Sequence, residues 1–246
     1  MSGAESSASS PSFRSDMTVE LVKHSASDTD VLWAARVSTA GEQSLDELGK
    51  DPERSRGLIN FLMRDRHGSP FEHNSMTFFI SAPLFVFREF QRHRAGWSYN
   101  EESGRYRQLQ PVFYVPDESR KLVQRGRPGK YVFVEGTQAQ QELVGRAMTD
   151  SYQQAYATYE EMLAAGVARE VARAVLPVGL YSSMYATCNA RSLMHFLGLR
   201  TQHEQASVPT FPQREIEMVA ERMEAHWAEL MPLTYDTFNG NGRVAP

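Results

Sequence analysis

Apolar and polar positions alternate with different periods along the chain, and the residues at the joints mark where elements begin and end. Val19, Leu21 and Lys23 alternate imperfectly with Glu20 and Val22, which predicts a strand over 17–24. Ser27 with Asp28 and Asp30 opens a helix carrying Val31, Leu32, Ala35 and Arg36. A second helix starts at Asp51-Pro52-Glu53, which supply a capping carboxylate, a first-turn proline and an acid for the dipole. It carries Leu58, Ile59, Leu62 and Met63 and is expected to end near His67-Gly68. Residues 76–80 read as a short aromatic strand, and Pro83 opens a segment through Phe85, Phe87 and Phe90 to Arg94, with Arg92 and Arg94 closing a helix. No sustained period holds from Ala95 to Arg107, and 125–130 reads as a flexible basic loop.

The second half is more regular. Leu143, Ala147, Tyr152, Tyr156, Tyr159 and Leu163 recur near one face of a long helix over 139–165, which Gly166 stops. A short helix then runs to Leu176-Pro177, a strand covers 179–187, Asn189 caps a helix ending at Arg200, and 212–231 forms the last helix. No repeat and no linker interrupts this order. The pattern predicts a single mixed α+β domain, rich in helix, over 16–246, behind a Ser-rich disordered tail at 1–15.

Composition narrows the setting. The 246 residues contain no apolar run near the roughly 20 needed to span a bilayer, and no apolar core follows Met1 as a secretory signal requires. The lone Cys188 excludes an internal disulfide, so a reducing, cytoplasmic setting is expected. A net charge of −4 argues against a general polyanion binder. Yet 22 of the 26 basic residues are arginine; codon bias explains that as well as a need for planar forks does, so clustering must decide.

The arginines do cluster. Between Arg88 and Arg107 stand Arg92, Arg94 and Arg105, with His93, Glu89, Glu101, Glu102, Ser98, Tyr99, Asn100, Ser103 and Tyr106. Forked donors beside aromatic plates suit a flat heterocycle bearing phosphate, although an exposed Arg/Glu ladder would use the same residue types. His93 between two guanidinium groups is expected to stay neutral. A turn at 67–73, His-Gly-Ser-Pro-Phe-Glu-His, offers the Ser69 hydroxyl to an anion, while the spacing of His67 and His73 around Glu72 is poor for a metal. In the helix ending at Arg200, Leu193, Phe196, Leu197 and Arg200 share one stripe, so Arg200 lies on the apolar side and needs an anionic partner, either internal or bound. Arg191 and His195 lie four apart beside it. Cys188 precedes a helix N-terminus that would lower its pKa, but a lone cysteine in an apolar strand is more simply a core residue. No glycine-rich dinucleotide or triphosphate loop is present.

Arg92-His93-Arg94, followed after eight residues by Ser103 within Ser98-Tyr99-Asn100-Glu101-Glu102-Ser103-Gly104-Arg105-Tyr106, resembles the signature of flavin-dependent thymidylate synthases, the ThyX family. Three further blocks match in order: 67–73, Ala-Arg-Ala-Val-Leu-Pro at 172–177, and Asn-Ala-Arg-Ser-Leu-Met-His-Phe-Leu-Gly-Leu-Arg at 189–200. The resemblance covers about residues 17–235. It implies a helix-rich α+β fold with a small antiparallel sheet, not of the Rossmann type, and a homotetramer whose active sites are shared between subunits. It implies FAD contacts from Ser69, Arg92, His93, Arg94, Glu101, Asn189, Arg191 and His195. A dUMP site would use Glu89, Phe90, Gln91, Arg92, Glu101, Glu102, Ser103, Gly104, Arg105, Arg173 and Arg200, with Arg200 as the catalytic residue. The implied reaction makes dTMP, taking a methylene from 5,10-methylenetetrahydrofolate and a hydride from FADH2 that NADPH regenerates, with no metal, nucleic acid or membrane. His203 falls where the chain departs from the family, before an apparent insertion at 206–211. Two other readings remain: a nucleotide- or RNA-binding module, and a metal-dependent phosphohydrolase built on His67, Glu72 and His73.

Overall fold

The computed structural model describes residues 10–41, 50–127 and 130–246. In chain order the first half holds β1 (Ser12–Arg14), β2 (Thr18–Ser25), α1 (Asp28–Ala40), α2 (Pro52–Arg64), β3 (Ser75–Pro83), α3 (Leu84–Phe90), β4 (Trp97–Glu101) and β5 (Val112–Tyr114). The second half holds β6 (Val123–Arg127), β7 (Lys130–Val134), α4 (Gln138–Ala164), α5 (Arg169–Ala172), β8 (Tyr181–Cys188), α6 (Ala190–Arg200), α7 (Arg214–Leu230) and α8 (Pro232–Gly240). Short 3-10 turns lie at Ser69–Glu72 and Arg173–Val175.

The described residues fall into two compact units. Among the described residues, one takes 10–16, 81–88, 101–127 and 130–183, the other 17–41, 50–80, 89–100 and 184–246. The chain changes unit inside β3, α3, β4 and β8, where no Gly, Pro or Ser linker is required, so composition carries no trace of the division.

The second of these units is built on a sheet ordered β2–β3–β8–β4. Along β3, Met76, Phe78 and Ile80 are buried while their neighbours are half-buried, the period of two that a strand imposes. On the other face Thr77 and Thr187 share a hydrogen bond of 2.9 Å. Ile216, Val219, Ala220, Met223 and Trp227 form one buried face of α7, at the helical spacing. The helix expected over 212–231 is not the last: Pro232 starts a further one, α8. The Asp28 carboxylate accepts from the Leu233 and Thr234 amides at 2.9 Å each, satisfying the free N–H groups of that helix start. No local signal in 230–240 points to a partner two hundred residues away.

In the other unit, Tyr152, Tyr156 and Tyr159 of α4 pack with Leu109, Phe113, Ala172 and Leu180. Leu143, expected on this face, is 52% exposed, because the first turns of α4 extend beyond the buried cluster. Part of the expected tail is ordered: Ser12–Arg14 pairs in parallel with Val112–Tyr114, and backbone bonds to Pro111 and Val115 hold both ends. This parallel pair also departs from a purely antiparallel arrangement. Residues 1–9 lie outside the described set. The expected basic loop is an antiparallel hairpin, with Arg125 opposite Val132 and Arg127 opposite Lys130; residues 128–129 of it lie outside the described set.

Candidate active site

Three blocks of the sequence meet on α6. Asn189 caps this helix by accepting from the Ser192 amide at 2.8 Å, and Asn74 accepts from the Ala190 amide at the same distance. The 67–73 turn lies against this end. Arg191 pairs with Glu72 at 2.6 Å and donates through Nε to the main-chain oxygen of Pro246, also at 2.6 Å. A Cβ at Gly68 would stand 2.5 Å from the Arg191 guanidinium, which would then have to move aside. Ser69, Asn189 and Arg191 are therefore gathered at the start of α6. His195 follows one turn on; burial, then the Arg191 charge, lowers its pKa.

The rest of α6 holds the Arg92-His93-Arg94 turn. Ser192, Phe196 and Arg200, each four residues apart, face it in succession. The Ser192 hydroxyl donates to the Ala95 carbonyl at 3.0 Å, and the Phe196 ring stacks on Phe90 with centroids 4.9 Å apart. Arg200 donates from Nε to His93 Nε2 at 3.1 Å and from Nη1 to the Glu89 carboxylate. The anionic partner that the apolar placement of Arg200 demanded is thus internal. The turn itself is latched by Tyr99, whose hydroxyl donates to the carbonyls of Phe90 (3.2 Å) and His93 (2.9 Å).

His93 is held neutral, its pKa lowered to about 4. The main cause is burial, followed by the charges of Arg200 and His195; the flanking arginines expected to dominate do not. As an acceptor at Nε2, the neutral ring carries its proton on Nδ1. α3 stops at Phe90 and tight turns follow, His93 N to Phe90 O at 2.8 Å and Arg92 N to Glu89 O at 3.3 Å. Arg92 and Arg94 consequently stand past the helix rather than closing it. Both are exposed and have no ion-pair partner among the described residues. Gln91 is exposed as well, whereas Phe90 is buried, its ring stacked on that of Phe196.

The other unit gathers a second group. The Glu102 amide donates to the Ser183 carbonyl at 2.8 Å, and its carboxylate pairs with Arg107 at 3.0 Å. The Ser103 hydroxyl accepts from the Arg105 amide at 3.3 Å, and Arg105 pairs with Glu170 at 3.0 Å. A Cβ at Gly104 would meet Leu109 at 2.9 Å and the Arg173 stem at 3.3 Å. Glu102, Ser103, Gly104, Arg105 and Arg173 therefore share one corner. The Glu101 carboxyl beside them is pushed above its ordinary value by burial and by Glu102, against the pull of Ser182 and Arg173.

His67, Glu72 and His73 turn to separate partners: the ring of Phe61, Arg191 and the ring of Trp33. Cys188 is buried, and burial raises its pKa, overriding any lowering by the helix start.

Residues 20–233 match the family described as thymidylate synthase complementing protein. The chain is 87% identical over 236 residues to the flavin-dependent thymidylate synthase of Streptomyces avermitilis, covering 96% of each. It is 84% identical to that of Streptomyces coelicolor over 95% of each chain. The chain belongs to the flavin-dependent thymidylate synthase family. The fold is also that of a solved structure: a UMP/dUMP methylase from Streptomyces cacaoi bound with 5-Br dUMP is 56% identical, with a TM-score of 0.89 over 95% of this chain and 99% of that one. The same protein bound with 5-Br UMP gives 0.87.

In this thymidylate synthase three contacts escape a reading of the sequence. Tyr99 as a latch on the turn carries no motif, because its acceptors are main-chain carbonyls. Glu72 as the partner of Arg191 was visible only as a feature of the turn. Ser192 was legible in principle: it lies eight residues before Arg200, with Phe196 midway, on one helical face.

Proposed function

We propose that this enzyme converts dUMP to dTMP, taking the one-carbon unit from 5,10-methylenetetrahydrofolate and the hydride from reduced FAD, which NADPH regenerates. The observation that carries the reading is the setting of Arg200. Its side chain is 17% exposed, anchored by Glu89 and a neutral His93, with hydrogens left over on its terminal nitrogens. Methylation at C5 requires negative charge to develop across N3 and O4 of the uracil. A guanidinium fixed there stabilises that charge, an effect of roughly 3–4 kcal/mol per donor.

The side chains present fit FAD. Arg92 and Arg94 offer guanidinium groups without an ion-pair partner among the described residues to a pyrophosphate, Ser69 offers a hydroxyl, and His93, Asn189, Arg191 and His195 lie on α6 and its adjoining turns. FAD supplies the redox chemistry when bound; the protein supplies position and charge. Glu101, Glu102, Ser103, Gly104, Arg105 and Arg173 would receive the nucleotide, with Arg105 and Arg173 toward its phosphate. Sites shared within a homotetramer, in the cytoplasm, complete the proposal. The name of the Streptomyces cacaoi relative, a UMP/dUMP methylase, supports the substrate class. A non-catalytic RNA-binding module is disfavoured by the net charge of −4.

The test is spectroscopic and kinetic. Purified protein should absorb near about 450 nm, bleach with NADPH, and form dTMP. Arg200→Ala should retain the flavin band and lose dTMP formation; unchanged turnover would overturn the role of Arg200.

A further inference from the structure

We propose that residues 243–246 are a positioning segment: laid along α6, they set the aim of the Arg191 guanidinium toward FAD without binding the cofactor themselves. The inference rests on the reading above in which Arg191 meets FAD. The root of the segment is fixed. Arg243 is 3% exposed, and its four terminal hydrogens are all committed. Nη1 donates to Glu224 and Asn239 at 2.6 Å each, and Nη2 to Glu224 at 2.9 Å and to the Thr201 hydroxyl at 2.8 Å. The Arg243 carbonyl lies so near α6 that a Cβ at Gly198 would stand 2.9 Å from it. Two further clamps follow. Arg66 Nη1 donates to the carbonyls of Val244 at 2.7 Å and Ala245 at 3.1 Å, and Arg191 Nε donates to Pro246 at 2.6 Å. Gly198 and Arg191 are seven residues apart, so they share one face of the helix with about 10 Å of rise between them. Three residue steps, from Arg243 to Pro246, cover about the same distance when extended.

The consequence for Arg191 follows from its donors. Nε is committed to Pro246 and Nη1 to the Glu72 carboxylate, acceptors that lie far apart in sequence. The guanidinium is thus held by the fold and not by its own helix. Without the Pro246 acceptor, a long and partly exposed side chain regains rotamers that cofactor binding must then freeze out. The segment itself is a poor ligand. Val244, Ala245 and Pro246 carry no polar side chain, and their carbonyls only accept hydrogen bonds, so a pyrophosphate gains nothing from them. What they contribute is a fixed acceptor for a residue that can bind one.

Four forms of the holoenzyme test this: a chain ended after Val244, Arg66→Met, Arg191→Ala, and the shortened chain carrying Arg191→Ala. The Kd for FAD is read from the flavin fluorescence released on serial dilution, well below the melting temperature of each form. Kinetics with dUMP at saturating FAD and thermal melting accompany it. The shortened chain should bind FAD about tenfold more weakly, the scale of one lost hydrogen bond from a charged donor. Arg66→Met keeps the stem but removes the donors to 244 and 245, and should weaken FAD about threefold. In both, kcat and KM for dUMP should stay within about twofold of the parent once FAD is saturating. The double form should bind FAD no more weakly than Arg191→Ala alone. A lowered melting temperature with the parental Kd in both forms would make the segment merely structural and overturn the proposal. So would a raised KM for dUMP, a loss of kcat at saturating FAD, or additive losses in the double form. If the shortened chain does not fold, Arg66→Met decides by the same criteria. If Arg191→Ala keeps its FAD, it is the reading of Arg191 itself that fails; if Arg191→Ala loses FAD while the other two single forms keep it, only the role of 243–246 does.

Discussion

Gly96 lies so close to Ser192 that a Cβ added to it would stand 2.1 Å from the serine hydroxyl, the group that donates to Ala95. The position also has φ of +69°, which glycine adopts without strain. Gly96→Ala is expected to destabilise the protein by about 1–3 kcal/mol, because strain and the lost Ser192 contact act together. Thermal melting should fall by several degrees, and the fraction of protein that keeps flavin through gel filtration should fall with it. A variant that melts like the parent would mean that the turn adapts freely.

His93 has its pKa lowered to about 4, against an ordinary value of 6.5. The unfolded chain therefore binds more protons than the folded one between these two values, so stability is lost as pH drops through that window. His93→Gln keeps an acceptor for Arg200 and does not titrate. The melting temperature of the parent relative to His93→Gln should drop between pH 6.5 and pH 4 and stay flat above it. A constant offset across the range would contradict the burial of a neutral ring.

Arg92 and Arg94 have no ion-pair partner among the described residues, so their removal deletes no ion pair from the fold. Arg92→Ala and Arg94→Ala should each melt within the range of ordinary surface changes, about 0.5 kcal/mol. Each should nevertheless lose flavin on gel filtration, read as the ratio of absorbance near about 450 nm to that of the protein. Retention of the full flavin complement by both variants would remove them from the cofactor site.

Cys188 is buried and its thiol is disfavoured as a thiolate. Native protein should react with a disulfide reagent only slowly, and quickly once denatured. Cys188→Ala should turn over dUMP at close to the parental rate. Loss of chemistry with the fold intact would call for a nucleophile at this position.

Sequence made the local features legible and left the distant ones hidden. Asn189 at the start of α6 and Asp51 at the start of α2 act as the caps their residue types suggest, accepting from the amides three residues on. The long α4 falls within a residue of its expected bounds, since a helical period over so many residues has no rival. β1 was not legible, because its order comes from pairing with residues a hundred positions later. β4 was missed because Trp97 and Tyr99 sit among charges, although the two rings stack at 5.6 Å. At the candidate site, the need of Arg200 for an anion followed from its stripe. That the anion is Glu89 did not, since helical spacing says nothing about what a helix meets across space.

The way the chain threads through its two compact units limits how the gene can be cut. Each unit draws on three separated stretches of polypeptide, so no single start and stop codon yields either one by itself. A premature stop within 184–246 removes part of one unit and leaves the other still joined through 17–80 and 89–100, stretches that belong to the truncated one. Shuffling halves with a relative is therefore a poor route to new variants, and exchange of single loops is the better one.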